Sequence, residues 1–337
     1  MSDVNIQFLY LTQKEVKEAG LDMKLTIETI EDVFRLHAEK KVIVPFKTVL
    51  DLDEKERGRI NAMPAYVGGE YEVCGIKWIA GFPKNPILHG LPRATGLIII
   101  NDSWKGLPLA IMDCTLISAM RTGAVTGVGA KYLARSDSEI VAMIGAGVQA
   151  RTQLLALTHV LHQLKEVRVY DIRKEASEKY AKEMSEQTGL KIVPVDSPKD
   201  AVVGADIIVT VTVADEPIVK DKWVKKGSFF AHVGSYQEEE YEVVLHSDKI
   251  VVDDWHHVLH RETPVLAKMY KEGLITEDRI YADLGDIVIG KKKGREKPDE
   301  RIFFAPIGMG SEDVALAYKI YKSAKEKKLG VMLSLFG

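Results

Sequence analysis

The sequence predicts an α/β protein in which a doubly wound parallel sheet is joined to an α+β domain. Three observations carry that expectation. Glu139 to Asp171 reads as an apolar run, a glycine turn, an amphipathic segment and a second apolar run that ends on an acid. Beyond Asp171, apolar runs and helical segments alternate, as they do where crossover helices link parallel strands. Before Pro108, strand-like runs follow one another between Gly, Pro, Asn and Asp, which is the spacing of an antiparallel meander.

From the N-terminus, Asn5 to Leu11 alternate as a strand, and Thr12 with Glu15 makes a capping box that opens a helix. A second helix is expected from about Lys24 to Lys40, where Ile27, Ile30, Val33, Phe34 and Leu36 form an apolar stripe. The strands VPFKTVLDL, GRINAMPAYV, CGIKWIAGF and GLIIIND come next. Lys47 and Lys77 interrupt two of them, and the simplest place for a strand lysine is the solvated face of a half-buried sheet. Small residues dominate from Ala110 to Leu133, which reads as one long helix leading from one domain to the next, with Arg121 and Thr122 at its middle.

The stretch that begins at Glu139 is one βαβ unit, and its residue types suit a dinucleotide. Ile140 to Ile144 form the strand, Gly145 turns the chain sharply, Gly147 has no Cβ to hold off a pyrophosphate, and Ala150 keeps the helix close to the sheet. Amides at the start of that helix, together with its dipole, face the phosphates. At the tip of the second strand Asp171 offers a carboxylate to an adenosine ribose and repels a 2′-phosphate, which favours NAD over NADP, while Arg173 works against that preference. A charged helix from Lys174 to Thr188, the strand KIVPV, a helical turn at Pro198 to Val203 and the strands ADIIVTVTV, SFFAHVGS and KIVVDDW continue the pattern of a Rossmann domain. Its ligand is expected across the carboxyl ends of these strands, at Thr210, Val211, Thr212, Val233 and Gly234.

Composition narrows the function. The 337 residues, 46% hydrophobic and 28% charged, are enough for two domains with sizeable cores. A formal net charge of -3 without a basic block argues against nucleic-acid and membrane-surface partners and for a small-molecule substrate. Cys74 and Cys114 are the only cysteines, too few for a disulfide framework and in keeping with a reducing cytoplasm. The N-terminus shows no secretory pattern, and no apolar run reaches membrane-spanning length. His256 and His260, near Asp253 and Asp254, have helical metal-ligand spacing, but a strand end and a polar turn explain them, and no metal is expected. The KKKGREKPDER run near Lys291 is expected as a solvated loop.

The motifs GIKW around Lys77, ISAMRTGAVTGVGAKYLAR around Arg121, IGAGVQARTQ, VYDIR, TVTVADEPIV, LGDIVIGKKKGR and GMGSEDVALAYKIY, in that order, make the chain resemble the ornithine cyclodeaminase/mu-crystallin family. The resemblance implies a discontinuous substrate and dimerisation domain, residues 1–120 completed by 315–337, around a Rossmann domain of residues 121–314. It implies a homodimer, an amino-acid substrate and NAD chemistry at a C–N bond. Lys77 matches the family's lysine, Arg121 its carboxylate-binding arginine, and Lys47 falls where many members have an arginine. Cations around a carboxylate would orient the reacting Cα. Candidate cofactor contacts are Thr122, Gly145, Gly147, Val148, Gln149, Asp171, Ile172, Thr210, Val211, Thr212, Val233 and Gly234.

Two departures bear on the substrate. Tyr236 stands where cyclodeaminases carry an aspartate that steers the distal amine, and Asn61 stands where they carry a glutamate. Both weaken ornithine as a substrate, and Glu238 becomes the candidate displaced carboxylate. Among family members, FKTVL, INAMPAYVGGEYEVCGIKWI and VVDDW bring the chain nearest to those that oxidise the secondary amine of N-(2-amino-2-carboxyethyl)-L-glutamate with NAD and hydrolyse the imine. In that expectation Lys47, Lys77 and Arg121 hold substrate carboxylates, and Lys77 or Glu238 orients the attacking water; three cations exceed what one carboxylate needs and suggest a substrate with several. The alternatives are a redox-neutral cyclodeaminase, an alanine dehydrogenase or ketimine reductase, and a non-catalytic binding protein of the mu-crystallin kind.

Overall fold

A computed structural model describes residues 5–53, 57–214 and 216–336; Asp215 of the TVTVADEPIV stretch and the first four residues of the N-terminus lie outside them. The chain divides into two compact units, one made of the residues up to Arg121 with those from Met309 onward, the other of Thr122–Gly308. The return to the first unit therefore falls ahead of the expected 315.

The first unit opens with β1 (Gln7–Leu11), α1 (Gln13–Glu18) and α2 (Met23–Ala38). The capping box at Thr12 is formed in both directions, and Asp22 caps α2 by accepting from the Leu25 amide. There follow β2 (Val42–Ile43), β3 (Thr48–Asp51), β4 (Arg59–Val67), β5 (Val73–Gly81), α3 (Asn85–Leu88), β6 (Ala94–Asp102) and β7 (Pro108–Asp113). β4, β5, β6 and β7 pair antiparallel in sequence order. The single long helix expected from Ala110 is corrected here: Pro108–Asp113 is a strand, and α4 spans Thr115–Leu133. Alternation of buried Ala110 and Met112 with half-buried neighbours fits a strand, and the Asp113 carboxylate then accepts from the Thr115 amide and hydroxyl at the start of the helix. The division between the units falls inside α4, after Arg121.

The second unit contains β8 (Ile140–Ile144), α5 (Val148–Val160), β9 (Glu166–Tyr170), α6 (Lys174–Thr188), β10 (Lys191–Pro194), α7 (Pro198–Val202), β11 (Ile207–Thr210), β12 (Phe229–His232), α8 (Tyr241–Leu245), β13 (Lys249–Val252), α9 (Trp255–Arg261), α10 (Val265–Lys271), β14 (Ile280–Asp283), α11 (Leu284–Val288) and β15 (Ile302–Ala305). Its strands lie in the order β10-β9-β8-β11-β12-β15-β13-β14, and every pairing is parallel. The first five of them have the 3-2-1-4-5 order of a Rossmann sheet, and β15 takes the sixth place ahead of β13 and β14. The KKKGREKPDER run is more than a solvated loop, since Arg295 donates to the carbonyls of Leu133, Ser228 and Glu300 and ties the end of α4 to the sheet.

The chain re-enters the first unit through α12 (Gly310–Glu326) and ends on β16 (Val331–Ser334), which pairs antiparallel with β1. α12 packs on β4, β5 and β6 and against α2. Its first turn comes close to the sheet because Gly310 has no side chain: a Cβ there would lie 2.7 Å from the Met63 carbonyl oxygen. That close approach sets two acids, Glu312 and Asp313, against the buried face of the sheet.

Candidate active site

The strand lysine of β5 is inside, and the tryptophan beside it is outside. Register places Met63, Lys77, Ile98 and Met112 in one row across the sheet, and all four are buried, whereas Trp78 on the opposite face is 45% exposed. The solvated-face expectation for Lys77 is thus overturned. Its ammonium Nζ donates to Asp313 Oδ2 at 2.7 Å and to Ser118 Oγ at 3.2 Å. Asp313 also takes Arg121 Nε at 3.2 Å, and Glu312 takes Arg121 Nη1 at 2.8 Å. Burial, reinforced by the Arg121 charge, pushes Lys77 below the usual lysine range, and Asp313 opposes that shift without cancelling it. Cys114 is at the same place, and burial pushes its thiol up to about 12, so it is inert.

Ser118, Glu312 and Asp313 were not singled out from sequence. A trace of them was there, since an S-E-D triplet at the start of a helix inside the GMGSEDVALAYKIY motif is an arrangement in which two acids share a face with a buried cation. Their effect is to balance the charge. Lys77 and Arg121 face Asp313 and Glu312, which corrects the inference of surplus positive charge. Arg121 Nη2 has no partner among the described residues, leaving one edge of the fork for a ligand. Lys47 immediately precedes β3, where Thr48 pairs with Ala62, so its backbone adjoins the Met63–Lys77 row. Asn61 shares the inward face of β4 with Met63, and its Oδ1 is a buried acceptor without a partner among the described residues.

In the second unit the glycine turn is built as a phosphate cradle. Gly145 has φ +106, a conformation that disfavours any side chain, while a Cβ on Gly147 would meet nothing within 4 Å. Gly147 is the N-cap of α5, Val148 next to it is exposed, and the open space in front is the kind a pyrophosphate fills. Arg151 donates to the carbonyls of Ala146 and Gly147, which turns the carbonyls back toward the helix and leaves the amides facing out. Asp171 accepts from the Ala146 and Arg173 amides, so the acid both locks the turn and sits at the tip of β9; exposed Ile172 lies beside it. Thr122 is on α4, its carbonyl accepting from Gln153. These residues fit a dinucleotide.

At the carboxyl ends of β11 and β12 lie Thr210, Val211, Thr212, Val233 and Gly234, and there Glu238 is not where a substrate-facing carboxylate is expected. It is fully buried, and its Oε1 accepts both the amide and the hydroxyl of Thr212, at 2.6 and 2.5 Å. Glu239 is buried on His232 Nδ1 at 3.0 Å, and Glu240 accepts from the Asp221 amide, so each acid of the run has a structural task. The Asp253 carboxylate accepts from Asp254, Ile307 and Gly308 amides, and Asp254 accepts from the His257 amide at the start of α9. No group of three or more potential metal ligands occurs among the described residues.

A Rossmann sheet with a nucleotide cradle in the second unit, and an acid-balanced lysine–arginine pair in the first, define a dinucleotide-dependent oxidoreductase. The model of the ornithine cyclodeaminase/mu-crystallin family matches residues 8–328. Over 99% of this chain and 100% of the relative, it is 33% identical to N-((2S)-2-amino-2-carboxyethyl)-L-glutamate dehydrogenase of Staphylococcus aureus. Thermococcus litoralis Δ(1)-pyrroline-2-carboxylate reductase, solved with NADH and L-proline, superposes with a TM-score of 0.90 at 38% identity, covering 96% of this chain and 99% of that one. An archaeal alanine dehydrogenase dimer with bound NAD gives 0.89 at 34% identity, covering 98% and 100%. The chain belongs to the ornithine cyclodeaminase/mu-crystallin family.

Proposed function

We propose that this enzyme interconverts a small α-amino or cyclic imino acid and its imine, with NAD(H) as cofactor. The charge balance around Lys77 carries the reading. Two cations against two acids leave one open guanidinium edge, which suits one carboxylate rather than several. In this reading Arg121 holds that carboxylate, Lys77 Nζ holds and moves the proton at the substrate nitrogen or at the water that attacks the imine carbon, and Asn61 Oδ1 accepts from the amine. When bound, NAD supplies hydride exchange at Cα. The second unit holds it through the Gly145–Gln149 turn, Asp171 and the ends of β11 and β12. Redox-neutral cyclisation of ornithine is disfavoured, because neither Tyr236 nor Asn61 supplies the acid that a distal amine needs.

A second reading has support of its own. The S. aureus relative spans the full chain, and Lys47 offers a third cation next to the Lys77 row, so a substrate with further carboxylates, such as N-(2-amino-2-carboxyethyl)-L-glutamate, would use it. A screen of alanine, proline, ornithine, lysine and the glutamate adduct, read by NADH formation at 340 nm, separates the two. Turnover of alanine or proline with Arg121→Ala raising KM about a hundredfold is expected. Turnover confined to the glutamate adduct would replace the first reading with the second, and ammonia and proline from ornithine without net NADH would overturn both.

Two further features support readings of the assembly and its setting. The outward face of the first sheet carries Leu50, Ile60, Ile76, Trp78, Leu97 and Ile99 where a solvated sheet face alternates with polar residues, and we infer that a second copy covers it. Cys74 and Cys114 are both unpaired, in keeping with the cytoplasm. No helix among the described residues is long and apolar enough to cross a membrane.

A further inference from the structure

We propose that Glu238 is a positioning residue for the nicotinamide half of the cofactor: through Thr212 it makes the end of β11 an acceptor surface, and it takes no part in proton transfer to substrate. The inference rests on the NAD reading above. In a Rossmann sheet the two halves of the dinucleotide lie on the two halves of the sheet. Asp171 marks the β8–β9–β10 half as the adenosine side, which assigns the ends of β11 and β12 to the nicotinamide side.

At the end of β11, both donors of Thr212 are consumed. Its amide and its hydroxyl point at Glu238 Oε1, and its hydroxyl oxygen accepts the Ala214 amide at 3.1 Å. What Thr212 has left to offer a ligand is lone pairs. A carboxamide NH2 or a ribose hydroxyl can donate to it, whereas a phosphate, which only accepts, finds no donor there. Without the glutamate the same threonine would be free to turn its donors outward.

Glu238 is held firmly in this role. Its backbone carbonyl accepts the amides of Ile218 and Val219, and the segment continues into a parallel bridge between Val219 and Glu239. On the side of β12 the carboxylate lies over Gly234, where a Cβ would come within 1.9 Å of Oε2. Behind it His232 Nδ1 stands 3.8 Å from Oε2 and 3.0 Å from Glu239. Burial alone would push the His232 imidazole down, but Glu239, with Glu238 beyond, holds it above the usual histidine value, while burial raises Glu239 in turn. The missing side chain of Gly234 and the donors of Thr212 thus converge on one carboxylate from two strands.

The test compares NADH with ADP-ribose, which lacks the nicotinamide, in titrations by fluorescence and calorimetry. Glu238→Ala is expected to weaken NADH about tenfold while changing ADP-ribose less than about twofold, and Glu238→Gln, whose amide oxygen can accept both Thr212 donors, is expected to stay within about threefold for both. Gly234→Ala, which drives the carboxylate off Thr212 without removing it, should reproduce the NADH loss; it also stands in if Glu238→Ala fails to fold. Equal loss of NADH and ADP-ribose would show a merely structural residue and overturn the proposal. So would a Glu238→Gln variant that binds NADH normally but loses turnover at saturating cofactor, the mark of a proton-transfer group. An unmodified protein that binds neither ligand would instead overturn the cofactor reading on which the proposal rests.

Discussion

Lys77 is the residue whose chemistry depends most on its neighbours. It is buried among Arg121, Asp313, Glu312 and Cys114, and its proton is held against desolvation by one carboxylate. If turnover needs the ammonium, kcat/KM falls as pH rises through the lowered Lys77 pKa, so the alkaline limb should lie below the 10.5 of an ordinary lysine. Asp313→Asn removes the opposing charge and leaves the Arg121 repulsion. The limb should then move about 1–3 units further down, with kcat reduced at neutral pH. A pH–rate profile in both proteins checks this, and a limb that stays in place would mean that Asp313 does not set the proton on Lys77. Sequence gave notice of the lysine and the arginine but not of their partners, because Asp313 lies 236 positions away and only the fold brings it back.

At the scale of elements, the glycine turn was legible and the acid run was not. Strand, turn and helix are local, and Gly145 and Gly147 have separable duties that sequence spacing already suggests. The first keeps φ at +106, and the second faces open space with φ −79. Gly147→Val should therefore leave the unfolding midpoint almost unchanged yet weaken NADH at least about a hundredfold, since the new side chain fills only ligand space. Gly145→Ala should lower the midpoint as well, at a cost of about 1 kcal/mol or more. Thermal unfolding and NADH titration on the pair decide it; a Gly147 variant that unfolds early would show that the space is packed rather than open. The Glu238–Glu240 run misled because an acid close to the family's missing aspartate reads as one that faces substrate, whereas Glu238 and Glu239 are wholly buried on Thr212 and His232. Nothing local distinguishes a substrate-facing acid from one whose donor arrives from a strand end earlier in the chain. The strand Pro108–Asp113 was missed for a related reason. Its small and apolar residues run without a break into those of α4, and only pairing with β1 and β6 separates them.

At the scale of the whole molecule, the first sheet is inverted: it buries a lysine and presents a tryptophan. A sheet with one wet face places its polar residues outward, yet here Trp78 pairs in register with Leu97, and both are more than 40% exposed. Leaving such a face in water forfeits about 25 cal/mol for each Å² of apolar surface that a partner would cover. A second copy of the chain is the partner that is always present at the right concentration, and the related alanine dehydrogenase was solved as a dimer. Trp78→Glu puts a charge on the outward face without touching the Lys77 row behind it. On the reading that a second copy covers this face, sedimentation or light scattering should report a dimer for the unmodified protein and a monomer for the variant, while far-UV circular dichroism stays the same. NADH titration serves as a control, because the glycine turn and Asp171 belong to the other unit and their affinity should change by less than about threefold. An unmodified chain that sediments as a monomer at micromolar concentration would remove the dimer, and Trp78 would then need another explanation for its exposure. Dimers that survive Trp78→Glu would place the interface elsewhere, and the strand edge at β16, with Val331, Met332 and Leu333 all exposed, is the next surface to alter.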